Sequence, residues 1–103
     1  MKTFGTLISE ARRAKGLSQK DLASKITKDD QEPISPQYLN DIEHDRRNPP
    51  SEDMIKQFAK QLKLQVEILF YLSGKLPEDL QNPSVEQEKI VAAYQAFRKA
   101  LRK

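Results

Sequence analysis

The feature that most constrains this chain is a pair of short helical segments, each opened by a serine, with a polar gap between them. Ser18 opens the first segment, and an aspartate three residues later gives a pattern close to a capping box. Leu22 and Ile26 lie one turn apart and form its buried stripe. Ser35 opens the second segment, and Pro36 stands at the first helical position, where its missing N–H costs nothing. The pattern predicts two short helices joined by a turn in an all-α fold.

Three further amphipathic segments complete a predicted five-helix domain. The first helix spans about residues 3–15 and is followed by Gly16, a residue that favours helix ends. Ser51 caps the fourth helix, and a mostly apolar segment at about residues 66–72 forms the fifth. The predicted core comprises Leu22, Ala23, Leu39, Ile42 and Phe58.

The chain is predicted to divide into a domain of residues 1–74, a linker of residues 75–83 and a C-terminal amphipathic helix of residues 84–103. Ser84 stands three residues before Gln87, which is a second capping-box pattern, so we expect the last helix to begin there. This helix requires a partner for its apolar stripe: it packs back on the domain, or it pairs with a second chain in a homodimer. The stripe comprises Ile90, Tyr94, Phe97 and Leu101.

Composition argues against several classes of protein. The chain has no cysteine and a single histidine, His44, so we expect no metal site and no cofactor. There are only three glycines and no glycine-rich phosphate loop, and nothing supports a catalytic site at His44, so we predict no enzyme activity. The first ten residues turn polar too early for a signal peptide, and no apolar run is long enough to cross a bilayer. We therefore expect a cytoplasmic protein.

The net charge of +3 is unevenly distributed along the chain. Residues 1–50 carry nine Lys/Arg and eight Asp/Glu, whereas residues 84–103 carry five and two. The half of the chain that contains the paired helices is therefore almost neutral. If it binds nucleic acid, the attraction to phosphate must come from local placement of cations and not from bulk charge.

Two motifs resemble the helix-turn-helix domains of phage Cro and repressor proteins, the XRE-type family. They are Gly16-Leu-Ser-Gln-Lys-Asp-Leu-Ala23 and the turn Asp45-Arg-Arg-Asn-Pro49, and the resemblance covers roughly residues 4–70. It implies a sequence-specific transcriptional regulator that binds double-stranded DNA, with its third helix in the major groove. It also implies a homodimer whose third helices reach two half-sites about 34–36 Å apart.

The resemblance carries base contacts over to four positions of the third helix: Pro36, Gln37, Asn40 and Asp41. Pro36 offers an apolar contact to a thymine methyl, and Gln37 can bond adenine through both amide atoms. Asn40 can do the same if it reaches the base edge. Asp41 only accepts hydrogen bonds, so cytosine is its one good partner, and phosphates repel it. The competing interpretation is that these are solvated helix positions.

The resemblance carries phosphate contacts over to four other residues. Gln19 begins the second helix, where the family places an amide on the DNA backbone. Arg46, Arg47 and Asn48 follow the third helix, and the guanidinium groups suit phosphate oxygens. Tyr38 packs at the rim or donates its hydroxyl to a phosphate. His44 is expected at the surface near the phosphates.

Two acidic positions have an expected structural role. Glu43 is expected to pair with an arginine such as Arg12. One of the two arginines after the third helix pairs with Glu43 or Asp45 if it does not contact phosphate.

The gap between the paired helices departs from the family pattern. Residues 27–33 are longer than the usual turn of about 3–4 residues and contain Asp29, Asp30 and Glu32. A longer loop costs little closure entropy, so the fold survives it. Acidic groups facing DNA would oppose binding, so the loop points away, contacts a partner or regulates the protein. The alternative is a solvated insertion.

Two other functions remain open from the sequence. Antitoxins of toxin–antitoxin pairs use this fold, and such a protein binds both a protein partner and its own promoter. Alternatively, the basic end of the chain makes the main contact with nucleic acid without sequence preference. That end comprises Arg98, Lys99, Arg102 and Lys103.

Overall fold

The computed structural model describes residues 2–48 and 50–102, and within these ranges it contains six α-helices and no β-strand. The predicted all-α class, five short helices followed by a C-terminal helix, is confirmed. A 3₁₀ turn, Glu78–Leu80, precedes the last helix. Met1 lies outside the described residues, as do Pro49 of the predicted turn motif and Lys103 of the basic end. The helices are α1 (Phe4–Ala14), α2 (Gln19–Ala23), α3 (Pro36–Glu43), α4 (Glu52–Leu62), α5 (Val66–Ser73) and α6 (Gln87–Leu101).

Four of the helices begin at a hydroxyl side chain that caps their first turn. Thr3, Ser18, Ser35 and Ser51 each accept a hydrogen bond from the backbone N–H three residues later. Ser18 and Asp21 form a complete capping box, and the bond from the Ser18 backbone N–H lowers the pKa of the Asp21 carboxyl. Because a cap needs only residues close in sequence, the predicted starts of α2, α3 and α4 are confirmed.

The second helix is shorter than predicted. It ends at Ala23, so the placement of Ile26 on this helix is wrong. The chain turns out of the helix there, and the Ile34 N–H donates to the Ile26 carbonyl at 2.9 Å while Thr27 and Pro33 form an isolated bridge. Ile26 is nevertheless fully buried. Ile26 therefore contributes to the core as predicted, but from a segment after α2 whose backbone is not helical.

The predicted start of the last helix is also wrong. The cap residue of α6 is Glu86, and its side chain makes no capping hydrogen bond. Ser84 belongs instead to a turn, because its N–H donates to Asn82 Oδ1 at 2.9 Å and the Val85 N–H donates to the Asn82 carbonyl at 3.2 Å. The Asn82 side chain thus occupies the Ser84 N–H, which a capping box would bond to the Gln87 side chain.

The core lies between α1, α2, α3, α4 and α5, and all five core residues predicted from the sequence are buried. Phe4 and Phe58 meet edge to face, with ring centroids 6.3 Å apart. Helix α1 crosses α3 at Gly5, where an added Cβ would overlap the carbonyl oxygen of Ile42 and lie 2.6 Å from that of Glu43. The missing side chain of Gly5 therefore sets how closely α1 supports α3.

Helix α6 lies largely outside this core. No residue of α6 within Gln87–Leu101 is buried, and its apolar stripe is between 43% and 58% exposed. Its contact with the domain includes the ring of Phe97, which lies 6.1 Å from that of Tyr71 on α5. Within residues 2–48 and 50–102, none of the helices has the length and hydrophobicity needed to cross a membrane.

Candidate nucleic-acid interface

The candidate interface is the solvent-facing side of α3, together with the start of α2 and the turn after α3. Seven of the nine predicted residues make contacts with one another in two sets: Gln19 with Asn40, and Asp41 with Gln37, Arg46 and Arg47, the last of which also contacts Tyr38. The other two, Pro36 and Asn48, are exposed at the start of α3 and in the turn after it. The fold thus brings together residues that lie up to 28 positions apart in the sequence.

A buried ion pair supports this surface from below. Arg12 of α1 donates to Glu43 of α3 through Nε at 2.7 Å and through Nη2 at 3.1 Å, and both side chains are buried. Arg12 Nη1 also donates to the Leu17 carbonyl at 2.8 Å, just before α2. One guanidinium therefore ties α1, the turn before α2 and α3 together, and the predicted pairing of Glu43 with Arg12 is confirmed.

The charge of Glu43 is stabilised in this position. Burial raises the pKa of the Glu43 carboxyl, but the hydrogen bonds from Arg12 and Gln19 outweigh burial, so the pKa lies below its ordinary value of 4.5. Glu43 is therefore ionised near neutral pH and holds both donors.

Gln19 connects this ion pair to the exposed face of α3. Its Nε2 donates to Glu43 Oε1 at 3.0 Å and to Asn40 Oδ1 at 3.1 Å. The Asn40 side-chain carbonyl is thereby turned toward Gln19, and its amide nitrogen is left to donate elsewhere. Gln19 thus orients a candidate base-contacting residue. Its predicted phosphate contact stays a prediction.

Asp41 lies at the centre of a charged cluster on α3. Gln37 Nε2, one turn earlier, donates to Asp41 Oδ1 at 3.1 Å. Arg46 Nη1 lies 3.4 Å from Oδ1, and Arg47 Nε lies 3.9 Å from Oδ2. The expectation that an arginine of this turn pairs with Glu43 or Asp45 is therefore wrong.

Glu43 and Asp45, the partners expected for these arginines, bond to other groups. Glu43 is held by Arg12, as described above. Asp45 binds the start of α1, where its carboxylate accepts from the Thr3 hydroxyl at 2.6 Å and from the Gly5 N–H at 3.0 Å. An ionised side chain at this position interacts favourably with the positive end of α1. The sequence analysis missed this role, because Asp45 and Gly5 lie 40 residues apart.

Tyr38 is half-buried on α3 and lies against a cation. The guanidinium carbon of Arg47 is 3.9 Å from the centre of the tyrosine ring, a stacking distance. The ammonium of Lys28 lies 6.0 Å from the same ring. Sequence analysis missed Lys28, whose place beside α3 depends on how the loop after α2 folds.

The acidic loop has a defined conformation. The Thr27–Pro33 bridge closes it, the Lys28 N–H donates to the Glu32 carbonyl at 3.0 Å, and Gln31 takes a positive φ of 68°. Gln57 of α4 holds its base, since Oε1 accepts from the Thr27 N–H at 2.8 Å and Nε2 donates to the Thr27 carbonyl at 3.0 Å. These bonds order the loop and anchor it to α4.

His44 closes α3 at the surface. One ring nitrogen, Nδ1, lies 2.8 Å from the Asn40 carbonyl, and the side chain is exposed. Its predicted position near phosphates stays a prediction. In the described part of the chain, no group of three or more histidine or acidic side chains is placed to hold a metal ion.

Helices α2 and α3 are short, each is capped by a serine, and they pack against each other. Amides lie on the open face of the second helix, and guanidinium groups follow its end. This arrangement defines a helix-turn-helix protein. The chain belongs to the XRE-type helix-turn-helix family of DNA-binding regulators: residues 8–69 match the sequence model of the family described as Helix-turn-helix. A solved chain from a structure titled SinR protein/SinI protein complex shares the fold, with a TM-score of 0.55 and 23% sequence identity. The similarity covers 95% of this chain and 99% of that chain. A comparison with curated proteins gave no match.

Proposed function

We propose that this protein is a sequence-specific transcriptional regulator that inserts α3 into the major groove of double-stranded DNA, in the cytoplasm. One observation carries the proposal. The open face of α3 presents the amides of Gln37 and Asn40 beside Arg46 and Arg47, on a helix that the buried Arg12–Glu43 pair supports from behind. A rigid helix with amide groups outward and cations at its end suits base edges flanked by phosphates.

The contacts divide into two kinds. Gln37 is proposed to bond adenine through its amide, and Pro36 to touch a thymine methyl. Asn40 presents its amide nitrogen, since its carbonyl is held by Gln19, so it suits an acceptor on a base edge. Phosphate contacts are proposed for Tyr38, Arg46, Arg47 and Asn48. At Gln19 the contact is proposed for the backbone N–H at the start of α2, because both hydrogens of the side-chain amide bond Asn40 and Glu43.

The first experiment is selection of bound sequences from a random pool of DNA duplexes with the full chain. Enrichment of an inverted repeat with fixed spacing would support sequence-specific recognition by two copies of α3. If no sequence is enriched and the affinity for DNA varies only with salt concentration, the proposal of sequence-specific recognition is contradicted.

Variants of α3 and of the turn after it should then behave differently. Gln37→Ala should cost about 1–3 kcal/mol at one base position of the selected site, because it removes a base contact. Arg46→Ala should weaken binding to the selected site, and to variants of it at the base that Gln37 reads, by the same factor, and should lower the slope of log K against log salt for that site by about 1. Competition binding at several salt concentrations measures both effects. Equal losses for both variants on all sequences would refute Gln37 as a base-reading residue.

We also propose that α6 forms the contact between two copies of the chain. Its stripe of Ile90, Tyr94, Phe97 and Leu101 is about half exposed along the whole helix. Beside it on α5, Ile68 and Tyr71 are also exposed. A continuous apolar surface of this kind favours association over contact with water. Pairing would also double the number of phosphate contacts.

Tyr94→Lys should therefore convert the protein to a monomer and weaken its binding to an inverted repeat. Gln95→Lys, which adds the same charge one position further along α6 and off the stripe, is the control and should leave the mass in solution unchanged. Light scattering measures the oligomer. A chain ending at Pro83 should also be monomeric, and an unchanged oligomer in that chain would refute the proposal. A co-purifying second protein lost with Tyr94→Lys would assign the stripe to a different partner.

A further inference from the structure

One carboxylate on the proposed recognition helix holds three of the residues assigned to DNA. Asp41 accepts from Gln37 at 3.1 Å and pairs with Arg46 and Arg47 at 3.4 and 3.9 Å. The Asp41 side chain is 25% exposed, against 58% and 46% for the two arginines. The acid is thus the inner member of the cluster, and the guanidinium groups cover it.

The cluster has a second anchor at Tyr38. The Arg47 guanidinium stacks on the tyrosine ring while its Nε faces Asp41. The aromatic face and the carboxylate together favour an orientation of Arg47 in which part of its hydrogen-bonding edge faces Asp41. In the free protein, both arginines are therefore directed at Asp41.

We propose that Asp41 determines specificity by making the phosphate contacts of Arg46 and Arg47 conditional on the base that lies under α3. This inference rests on the proposed function, in which α3 enters the major groove. An arginine that moves to a phosphate leaves the Asp41 carboxylate without that donor. Since a carboxylate can only accept hydrogen bonds, it then requires a donor from the DNA.

Bases differ in whether they can supply that donor. The exocyclic N4 amino group of cytosine presents a donor in the major groove with no acceptor of the same base beside it. The N6 amino group of adenine lies beside the N7 acceptor, which repels a carboxylate, and the O6 and N7 atoms of guanine and the O4 atom of thymine are acceptors. An acceptor against the carboxylate would leave the departed arginine unreplaced at a charge that DNA has removed from water, with only the amide of Gln37 beside it, which is unfavourable. On such a sequence the arginines remain on Asp41, and the protein binds weakly. Specificity then comes from repulsion of wrong sequences as well as attraction to the right one.

The charge balance of the cluster supports this assignment. Asp41, Arg46 and Arg47 carry a combined charge of +1, and residues 1–50 as a whole are almost neutral. Removing the charge of Asp41 raises the cluster to +2 at the surface that faces DNA. Binding without sequence preference grows with the number of cations available to phosphates. Asp41 therefore suppresses this kind of binding more than any acid distant from α3.

The test is the Asp41→Asn variant of the full chain. Asparagine has the same size and keeps an acceptor for Gln37, but it carries no charge. We expect affinity for random-sequence duplex at low salt to rise about five- to tenfold, and affinity for the selected site to stay within about threefold. In a repeated selection, the preference for cytosine at one position in each half-site should disappear. Circular dichroism checks that the variant is folded.

Two comparisons make the result specific. Asp79→Asn removes the same charge in the 3₁₀ turn Glu78–Leu80 and should raise affinity for random duplex by less than twofold. Arg46→Ala should reduce that affinity more in the Asp41→Asn background than in the parent chain, because the arginine is released only there. Equal effects of Asp41→Asn and Asp79→Asn, or unchanged discrimination between selected and random DNA, would overturn the inference. A parent chain that binds no DNA would overturn the proposed function itself.

Discussion

Replacing Glu43 with alanine should lower the free energy of unfolding by about 3–5 kcal/mol, the range for loss of one partner of a buried ion pair. The variant leaves the Arg12 guanidinium buried between α1 and α3 without a carboxylate, although it keeps the bond from Nη1 to the Leu17 carbonyl. Small domains are stable by only about 5–15 kcal/mol, so the variant should be close to the limit of folding. Chemical denaturation followed by circular dichroism measures the change.

The control for this prediction is Glu67→Ala on α5. Glu67 is exposed in the first turn of α5, so its loss should change the free energy of unfolding by no more than about 1 kcal/mol. A Glu43→Ala variant with a change of that small size would contradict the structural role of the ion pair.

The dependence of stability on pH gives a second check of the same pair. The pKa of Glu43 is lowered in the folded chain, so the folded state binds a proton at this site less readily than the unfolded state. The resulting stabilisation is fully present above the unfolded pKa of about 4.5 and is lost as the pH falls through the lower folded value. Between pH 6 and pH 3, the parent chain should therefore lose more stability than Glu43→Ala does.

Replacing Gly5 with alanine should destabilise the protein by about 1–3 kcal/mol, the usual cost of inserting atoms into a packed interior. On an open helix the same change would stabilise by about 0.5–1 kcal/mol. At Gly5 the steric clash outweighs this stabilisation, because the new Cβ meets backbone oxygens of Ile42 and Glu43 and lies 2.8 Å from Asp45 Oδ1. Backbone atoms cannot rotate away, so α1 and α3 must separate. Thermal and chemical denaturation measure the loss.

The same variant tests how α1 supports the DNA-facing helix. Because Gly5 contacts the end of α3, Gly5→Ala should also weaken DNA binding at a temperature where the chain is folded. Gly16→Ala is a matched substitution: its φ of 71° makes a side chain unfavourable, but no atom lies within 4 Å of the added Cβ. Gly16→Ala should therefore reduce stability but leave the position of α3, and with it DNA binding, unchanged. Stabilisation by Gly5→Ala would show that the close contact does not restrict this position.

Sequence patterns served best where the physical cause is local. The caps at Ser18, Ser35 and Ser51 each act over three residues, so the starts of their helices could be predicted. The same pattern was misleading at Ser84, because a hydrogen bond from its N–H to the Asn82 side chain competes with a cap. A local pattern predicts a helix start when no neighbouring side chain offers the backbone a better partner.

The candidate site was only partly accessible from the sequence. Gln37 and the two arginines could be nominated by residue type and place, and the bond from Gln37 to Asp41 follows from one turn of helix. The partner of the arginines could not be predicted, since three acids lie within the six residues that precede Arg47. Which acid remains available depends on Arg12 and on the start of α1, both more than 30 residues away.

The sequence by itself determined the all-α class, the helix-turn-helix unit and the residues of the core, because apolar spacing and capping are properties of neighbouring residues. The tertiary structure alone decided that Asp45 binds α1, that Asp41 faces the two arginines, that Lys28 lies beside Tyr38 and that the α6 stripe stays exposed. For Asp45 and Asp41 the outcome is a choice among several partners of similar chemistry, and it follows from which groups the packing of α1 against α3 brings within hydrogen-bonding distance. The place of Lys28 follows from the loop that Gln57 of α4 holds, and the exposure of the α6 stripe follows from the position of α6 outside the core.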